Sequence, residues 1–209
     1  MIIGNGLMAN AMRSIDNDSV LFFCSGVSDS TKSDKNDFNK EIELYKSVPK
    51  NRKIIYFSTI SVCDQNDKRP YVNHKREMEA LIKENDHLIF RLTQVVGASG
   101  NKNNIINYFV DRIRKKEKII IQENAKRSIV DIEDVKKIVS ENISLKNESI
   151  NFAGYEVLYV KDLIEIIFKC LNLRTELIFK YGYKNYIPEN ENIEGYTEKT
   201  LIKYLNGHK

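Results

Sequence analysis

The chain has 209 residues, with 33 Lys and Arg, 29 Asp and Glu, and a formal net charge of +4. The basic residues are spread along the chain, so the charge does not predict a nucleic-acid-binding surface. Three cysteines without metal-ligand spacing predict neither a disulfide framework nor a metal site. No apolar run has the length of a membrane span or an export signal, so we expect a cytoplasmic protein.

Short apolar runs rich in Val, Ile, Phe and Tyr alternate with longer stretches of helical period, which is typical of an α/β domain with a parallel sheet. We expect a first part over residues 1–97 and a second over 98–209, interleaved or forming one domain. A polar stretch at 185–197 predicts a loop before a short final helix. Strands are predicted near 1–3, 20–24, 54–58, 88–92, 119–121 and 150–152, and helices near 6–13, 38–47, 71–85, 104–116, 133–141 and 160–171.

The first strand and helix are joined by a Gly-x-Gly-x-x-Ala sequence formed by Gly4, Gly6 and Ala9. In such a turn Gly4 allows a tight bend, Gly6 lets backbone N–H groups approach a pyrophosphate, and Ala9 keeps helix and strand close. The segment, including Leu7 and Met8, therefore predicts a dinucleotide-binding turn. A plain strand-to-helix turn is the alternative.

Tyr71 and Lys75 stand four residues apart, on one face of a predicted helix. An ammonium beside a phenol lowers the pKa of the phenol and makes it a usable acid or base. Tyr and Lys are both common here, so the pair alone proves nothing. However, the preceding strand ends in Ser58 and Thr59, at the edge where parallel sheets bind ligands. Either hydroxyl would hold a substrate carbonyl there, while simple turn formation is the alternative.

These motifs together resemble the extended branch of the short-chain dehydrogenase/reductase superfamily, which comprises nucleotide-sugar epimerases, dehydratases and reductases. Stretches 90–97, 127–135, 151–154 and 159–163 resemble later segments of that branch in the same order. The resemblance implies a Rossmann-like, doubly wound parallel sheet with a small C-terminal substrate-binding part. It also implies a homodimer through the helices at 38–47 and 71–85.

The same resemblance implies roles for individual residues. Thr59, with Ser58 as the neighbouring alternative, would polarise the substrate carbonyl, Tyr71 would transfer the proton, and Lys75 would tune Tyr71 and bind the nicotinamide ribose. Gln94 and Arg127 would contact the substrate. The implied cofactor-binding residues are Gly4, Gly6, Leu7, Met8, Ala9, Cys24, Ser25, Gly26, Ser58 and Lys75.

One part of the family pattern is missing. The segment Ser14–Ser19 leads directly into a strand at 20–24 that matches the fourth strand of the family, so one strand–helix–strand unit is deleted and the sheet is truncated on the adenosine side. Cys24 and Ser25 stand where an acid that binds the adenosine ribose would be sought. Arg13 would meet a 2′-phosphate, which slightly favours NADP over NAD, unless it is an ordinary surface arginine.

We therefore expect an NAD(P)-dependent oxidoreductase that reduces a keto group of a nucleotide-activated sugar in surface polysaccharide synthesis. A nucleotide-sugar epimerase or dehydratase of the same branch, or a non-catalytic dinucleotide-binding or interaction module, is the alternative. No metal, nucleic acid or membrane is expected as a partner. His74 is expected to be structural, and Asp131 to cap a helix rather than to bind a metal.

Overall fold

The structure is a computed structural model that describes residues 1–97, 104–154, 156–181 and 197–207. Its contacts divide the chain into two compact units. Unit 1 comprises Met1–Leu92 and Val135–Phe152, and unit 2 comprises Thr93–Asp134 and Ala153–Lys209. The chain therefore passes between the units three times, after Leu92, Asp134 and Phe152.

The described elements are mostly those that the sequence predicts. The strands are β1 (Ile2–Ile3), β2 (Val20–Phe23), β3 (Lys53–Thr59), β4 (His87–Leu92), β5 (Gln94–Val96), β6 (Ile119–Gln122), β7 (Lys126–Arg127), β8 (Ile129–Asp131), β9 (Glu148–Phe152), β10 (Leu158–Tyr159) and β11 (Leu177–Lys180). The helices are α1 (Leu7–Met12), α2 (Lys35–Ser47), α3 (Pro70–Ile82), α4 (Ile105–Arg114), α5 (Ile132–Asn142), α6 (Val160–Leu171) and α7 (Thr197–Asn206). Two 3₁₀ turns cover Arg13–Ile15 and Ile60–Cys63.

Unit 1 is built on a five-stranded parallel sheet in the order β1-β2-β3-β4-β9. This confirms the predicted α/β fold with a parallel sheet. In the described residues β1 is an edge strand, with β2 as its partner. Because all strands are parallel, their carboxyl ends lie along one edge of the sheet, where β1, β2 and β3 are each followed by a loop or turn that holds predicted site residues.

Helices α2 and α3 cover one face of this sheet. On this face, strand residues pack with Tyr45 of α2 and with Met78 and Ile82 of α3, in a cluster that includes Leu21, Phe23, Ile54, Tyr56 and Ile89. Side chains alternate along a strand, so Phe22, Ile55 and Phe90 belong to the other face, where they are fully buried as well. The fully buried residues Ala9 and Met12 of α1, and Val135 and Val139 of α5, lie outside the first cluster. We infer that α1 and α5 cover the second face.

Local capping explains where several helices begin. Asp34 and Asn104 accept hydrogen bonds from the backbone two residues on, both at 2.8 Å, and start α2 and α4. Pro70 occupies the first turn of α3, where its missing N–H costs nothing. Asp131 accepts from the Glu133 N–H at 3.0 Å and precedes α5, as expected of a helix cap.

Unit 2 contains three two-stranded ladders: β5 with β8 and β6 with β11 are parallel, and β7 with β10 is antiparallel. Helices α4, α6 and α7 supply most of its apolar cluster, including Phe109, Ile167 and Leu201. The sequence does not predict β5, β7, β8, β10 or β11, because runs of two to four residues are too short to show a period. The predicted loop at 185–197 lies outside the described residues except for Thr197, which starts the expected final helix α7.

Candidate functional site

The two glycines of the turn after β1 have different surroundings. Gly4 has a φ of +122°, and a Cβ placed on it would lie 2.9 Å from the backbone C and O of Cys24. Gly6 begins α1 with a φ of −81°, and a Cβ placed there would meet nothing within 4 Å. Gly4 is therefore required by the packing of β1 against the end of β2, whereas Gly6 faces open space that a ligand can fill.

A hydroxyl pair stands at the carboxyl end of β3. The Thr59 Oγ1 atom accepts a hydrogen bond from the Ser61 N–H at 3.4 Å and so begins the turn Ile60–Cys63. Ser58 is buried, and its Oγ atom has no hydrogen-bond partner within the described part of the chain. Buried hydroxyls are normally satisfied, so Ser58 is a polar group that a bound molecule or a water would complete.

Arg76 holds the loop between β3 and α3 in place. Its guanidinium donates to the backbone carbonyls of Val62, at 3.2 Å, of Asp67, at 2.7 Å, and of Asp64. Tyr71, near the start of α3, packs against Val62 in the turn that Thr59 begins. The loop therefore places Tyr71 against the turn that follows β3.

Tyr71 and Lys75 lie on one face of α3, but they do not form the activated pair that the sequence suggests. The Lys75 Nζ atom is 5.9 Å from the Tyr71 ring centroid. Burial raises the pKa of Tyr71, and the negative charge of Glu41 raises it further. The expected lowering of this pKa by Lys75 is not found, because the Lys75 ammonium is bound to Glu41, at 3.0 Å, and to the Tyr56 hydroxyl, at 2.8 Å.

Glu41 on α2 is the centre of a group that the sequence analysis missed. Its Oε1 atom accepts from Lys75 and, at 2.8 Å, from the Tyr56 hydroxyl, and its Oε2 atom accepts from the Val27 N–H at 2.8 Å and lies 2.8 Å from the His74 Nε2 atom. We call Glu41, Tyr56, His74 and Lys75 the buried tetrad, since each is less than 5% exposed.

His74 has the structural role expected of it. Its ring stacks on Phe38 with centroids 4.4 Å apart, and its Nε2 atom donates to Glu41, since a carboxylate can only accept.

The sequence does hold a signal for this tetrad. Phe38, Glu41 and Tyr45 fall on the buried side of α2, and a carboxylate in an apolar helical stripe needs a partner.

The loop after β2 covers the buried tetrad. A Cβ on the exposed Gly26 would lie 2.7 Å from the Glu41 Oε1 atom and 3.0 Å from the Lys75 Nζ atom. The neighbouring Cys24 is unreactive in this setting, because burial, helped by the charge of Asp16, raises the pKa of its thiol to about 12. A side chain at position 26 would therefore displace this ion pair.

Unit 1 contains most of the predicted site residues, and unit 2 contains the other two. Gln94 lies in β5, where its N–H donates to the Ser128 carbonyl at 3.3 Å, and Arg127 lies half-buried in β7. Arg13 is exposed in the turn after α1. The residues in unit 1 are Gly4, Gly6, Leu7, Met8, Ala9, Cys24, Ser25, Gly26, Ser58, Thr59, Tyr71 and Lys75.

Two general features of the described residues concern membranes and metals. No helix in that part of the chain is both long and apolar enough to cross a membrane. Among the same residues, no group of three or more His, Cys, Asp or Glu side chains is arranged to hold a metal ion.

The fold is that of the extended short-chain dehydrogenases/reductases, and the structural neighbours across the chain are nucleotide-sugar epimerases, dehydratases and reductases of that type. No protein-family model and no curated protein sequence matches the chain. At 12–15% identity, the similarities described next establish the fold alone.

Three solved structures illustrate the similarity. RMD from Pseudomonas aeruginosa, complexed with NADPH, is 12% identical with a TM-score of 0.71, over 98% of this chain and 86% of that one. UDP-glucose 4-epimerase from Thermotoga maritima, with UDP-glucose, is 15% identical with a TM-score of 0.72, over 98% and 82%. dTDP-4-dehydrorhamnose reductase from Bacillus anthracis, with NADP, is 14% identical with a TM-score of 0.70, over 97% and 84%.

Proposed function

We propose that this protein is an NAD(P)-dependent oxidoreductase that reduces a keto group of a nucleotide-activated sugar, a step suited to surface polysaccharide synthesis. The observation that carries the proposal is the placement of Tyr71 against the turn that Thr59 begins, at the carboxyl edge of the unit 1 sheet. Similarity in fold to the nucleotide-sugar enzymes supports the choice of substrate class.

The turn after β1 fits a dinucleotide. The open space at Gly6 leaves room for a pyrophosphate close to the backbone, while Ala9 is fully buried and keeps α1 near the sheet. Lys75 has three N–H donors, and two of them reach Glu41 and Tyr56. We assign the third donor to a ribose hydroxyl of the cofactor.

The residues at the end of β3 would carry the proton chemistry. A bound nicotinamide cofactor supplies a hydride to the keto carbon. The Thr59 Oγ1 atom accepts from the Ser61 N–H, so its own O–H can donate to the keto oxygen. As the C=O electron pair moves to that oxygen, the Tyr71 O–H bond breaks and its proton forms the new alcohol. Because burial raises its pKa, the Tyr71 phenol is protonated at neutral pH and has a proton to give to the more basic alkoxide oxygen, and water then restores that proton.

We also infer that one strand–helix–strand unit is absent beyond β1. The standard dinucleotide-binding sheet places its second and third strands on the far side of the first, whereas β1 is the edge of the described sheet here. The connections β2–α2–β3 and β3–α3–β4 place α2 and α3 on one face of the sheet. A β1–α1–β2 connection of the same handedness would place α1 on that face as well. We place α1 on the opposite face, because its fully buried residues Ala9 and Met12 lie outside the cluster that α2 and α3 form with the sheet. A helix has this position when the strand that follows it lies beyond β1.

A titration with NADH and NADPH, followed by nicotinamide fluorescence, tests the proposal. We expect one of them to bind, and Gly6→Ala to weaken that binding by about tenfold or more, since a methyl group would fill the space of the pyrophosphate. If Arg13 meets a 2′-phosphate, NADPH binds more tightly than NADH, and Arg13→Gln removes the difference. Failure of both cofactors to bind at millimolar concentration would refute the enzyme assignment.

A non-catalytic dinucleotide-binding module is the second candidate. It is favoured by one observation: Lys75 is committed to Glu41 and does not activate Tyr71. Cofactor binding without turnover of any nucleotide-linked keto sugar would select it.

We also propose a homodimer through α2 and α3, which gel filtration would detect as twice the monomer mass.

A further inference from the structure

Both oxygens of the buried Glu41 carboxylate are fully engaged in hydrogen bonds. Four groups from two elements and a loop lie within 3.0 Å of its two oxygens: the Val27 N–H after β2, the Tyr56 hydroxyl of β3, and the His74 ring and Lys75 ammonium of α3. A buried carboxylate that accepts this many hydrogen bonds is held in one position and stays ionised. Burial alone would raise its pKa, but these contacts outweigh burial and lower it to about 2.

Lys75 depends on this carboxylate for its charge. Burial disfavours an isolated ammonium, and the pKa of Lys75 is lowered on balance although Glu41 and Glu79 oppose the change. The other titratable groups that face it are Tyr56, at 2.8 Å from Nζ, and Tyr71, both neutral phenols. Of the charged groups, Glu41 is the one in direct contact, at 3.0 Å.

We propose that Glu41 is a positioning residue that keeps the Lys75 ammonium charged and fixes its Nζ atom beneath Gly26 for contact with the cofactor. The proposal deepens the proposed function and rests on it for the role of Lys75. Glu41 makes no hydrogen bond to Tyr71, Ser58 or Thr59 among the described residues, and its direct contact with a predicted site residue is the one to Lys75. The His74 Nδ1 atom has no hydrogen-bond partner among the described residues, and the imidazole contacts Glu41 through its Nε2 atom.

The first test measures the charge of Lys75 directly, without cofactor or substrate. In protein carrying ¹³C-labelled lysine, the Lys75 signal is the one lost in Lys75→Met. We expect Glu41→Gln to weaken proton binding at Lys75 by about tenfold or more, because the paired negative charge is gone. Glu43→Gln is the matched control, since Glu43 lies on the same helix but is 70% exposed. Unchanged titration of Lys75 in Glu41→Gln would overturn the proposal.

The second test separates this proposal from the proposed function. Cofactor affinity should be nearly constant with pH around neutrality in the wild-type protein, but in Glu41→Gln it should fall as pH rises and recover at lower pH. A Glu41→Gln profile parallel to that of the wild type would overturn the role of Glu41 in binding. If neither protein binds NADH or NADPH, the proposed function has failed, and with it the cofactor role, while the lysine titration still decides whether Glu41 sets the charge.

Glu41→Asp covers the case in which Glu41→Gln does not fold. Aspartate keeps the negative charge but is one methylene shorter, so Lys75 should stay charged as in the wild type while cofactor binding weakens about equally at every pH. Wild-type affinity in Glu41→Asp, or loss of the Lys75 charge despite the carboxylate, would count against the proposal.

Discussion

Two neighbouring groups of polar side chains in unit 1 differ in how far the protein satisfies them. In the buried tetrad nearly all hydrogen-bonding groups have a partner within the protein, and the Glu41 carboxylate alone contacts four donors. The hydroxyl edge, which we define as Ser58, Thr59 and Tyr71, leaves the Ser58 Oγ atom without a partner among the described residues. A satisfied network stabilises and positions, whereas an unsatisfied edge has donors and acceptors left for a ligand.

The largest expected effect comes from breaking the ion pair of the tetrad. Lys75→Met should lower the free energy of unfolding by about 3–5 kcal/mol, because the buried Glu41 carboxylate loses the ammonium that balances its charge. The double variant Glu41→Gln/Lys75→Met should be much less destabilised than the sum of the two single variants. Urea unfolding of the four proteins measures the coupling. Additive losses would mean that the pair is not energetically coupled.

Acid should act on the tetrad as well. In the unfolded chain Glu41 takes up a proton near the ordinary glutamate pKa of 4.5, whereas in the folded protein its pKa is lowered to about 2. Its contribution, on the order of 3 kcal/mol, is therefore present above pH 4.5 and is lost as the pH falls from 4.5 to 2. Urea midpoints across this range should fall more steeply in the wild type than in Glu41→Gln/Lys75→Met, and equal slopes would contradict the assignment.

The glycines of the first turn extend the comparison from side chains to the backbone. Gly4→Ala should destabilise the fold by about 2–3 kcal/mol, because its φ of +122° and its contact with Cys24 exclude a methyl group. Gly6→Ala should cost less than about 1 kcal/mol, since its φ is ordinary and the space is open. Thermal unfolding of both variants decides this, and equal losses would remove the distinction.

The smallest effect is expected at the hydroxyl edge itself. Ser58→Ala removes a buried hydroxyl without a partner, so stability should change by less than about 0.5 kcal/mol or rise slightly. Tyr56→Phe, by contrast, removes the hydroxyl that bonds Glu41 and Lys75 and should cost about 1–2 kcal/mol. A larger loss in Ser58→Ala than in Tyr56→Phe would reverse the roles of the two groups.

The sequence predicts the parallel sheet, the long helices and the positions of Gly4, Thr59 and Tyr71, because these depend on local period and spacing. It does not predict the state of Tyr71. Glu41, the partner of Lys75, lies 34 residues away on another helix. The four-residue spacing of Tyr71 and Lys75 cannot show that a distant carboxylate binds the ammonium. The short ladders of unit 2 are missed for a similar reason, since their pairing is made between distant segments.

The proposed reduction depends most directly on proton donation by Tyr71. We would follow NADH or NADPH absorbance with nucleotide-linked 4-keto sugars in the wild type, in Tyr71→Phe, and in Tyr108→Phe, whose exposed ring on α4 in unit 2 provides the control. We predict that Tyr71→Phe lowers kcat by about 10²–10⁴-fold with cofactor binding retained, and that Tyr108→Phe leaves it unchanged. An unchanged kcat in Tyr71→Phe would contradict the central claim.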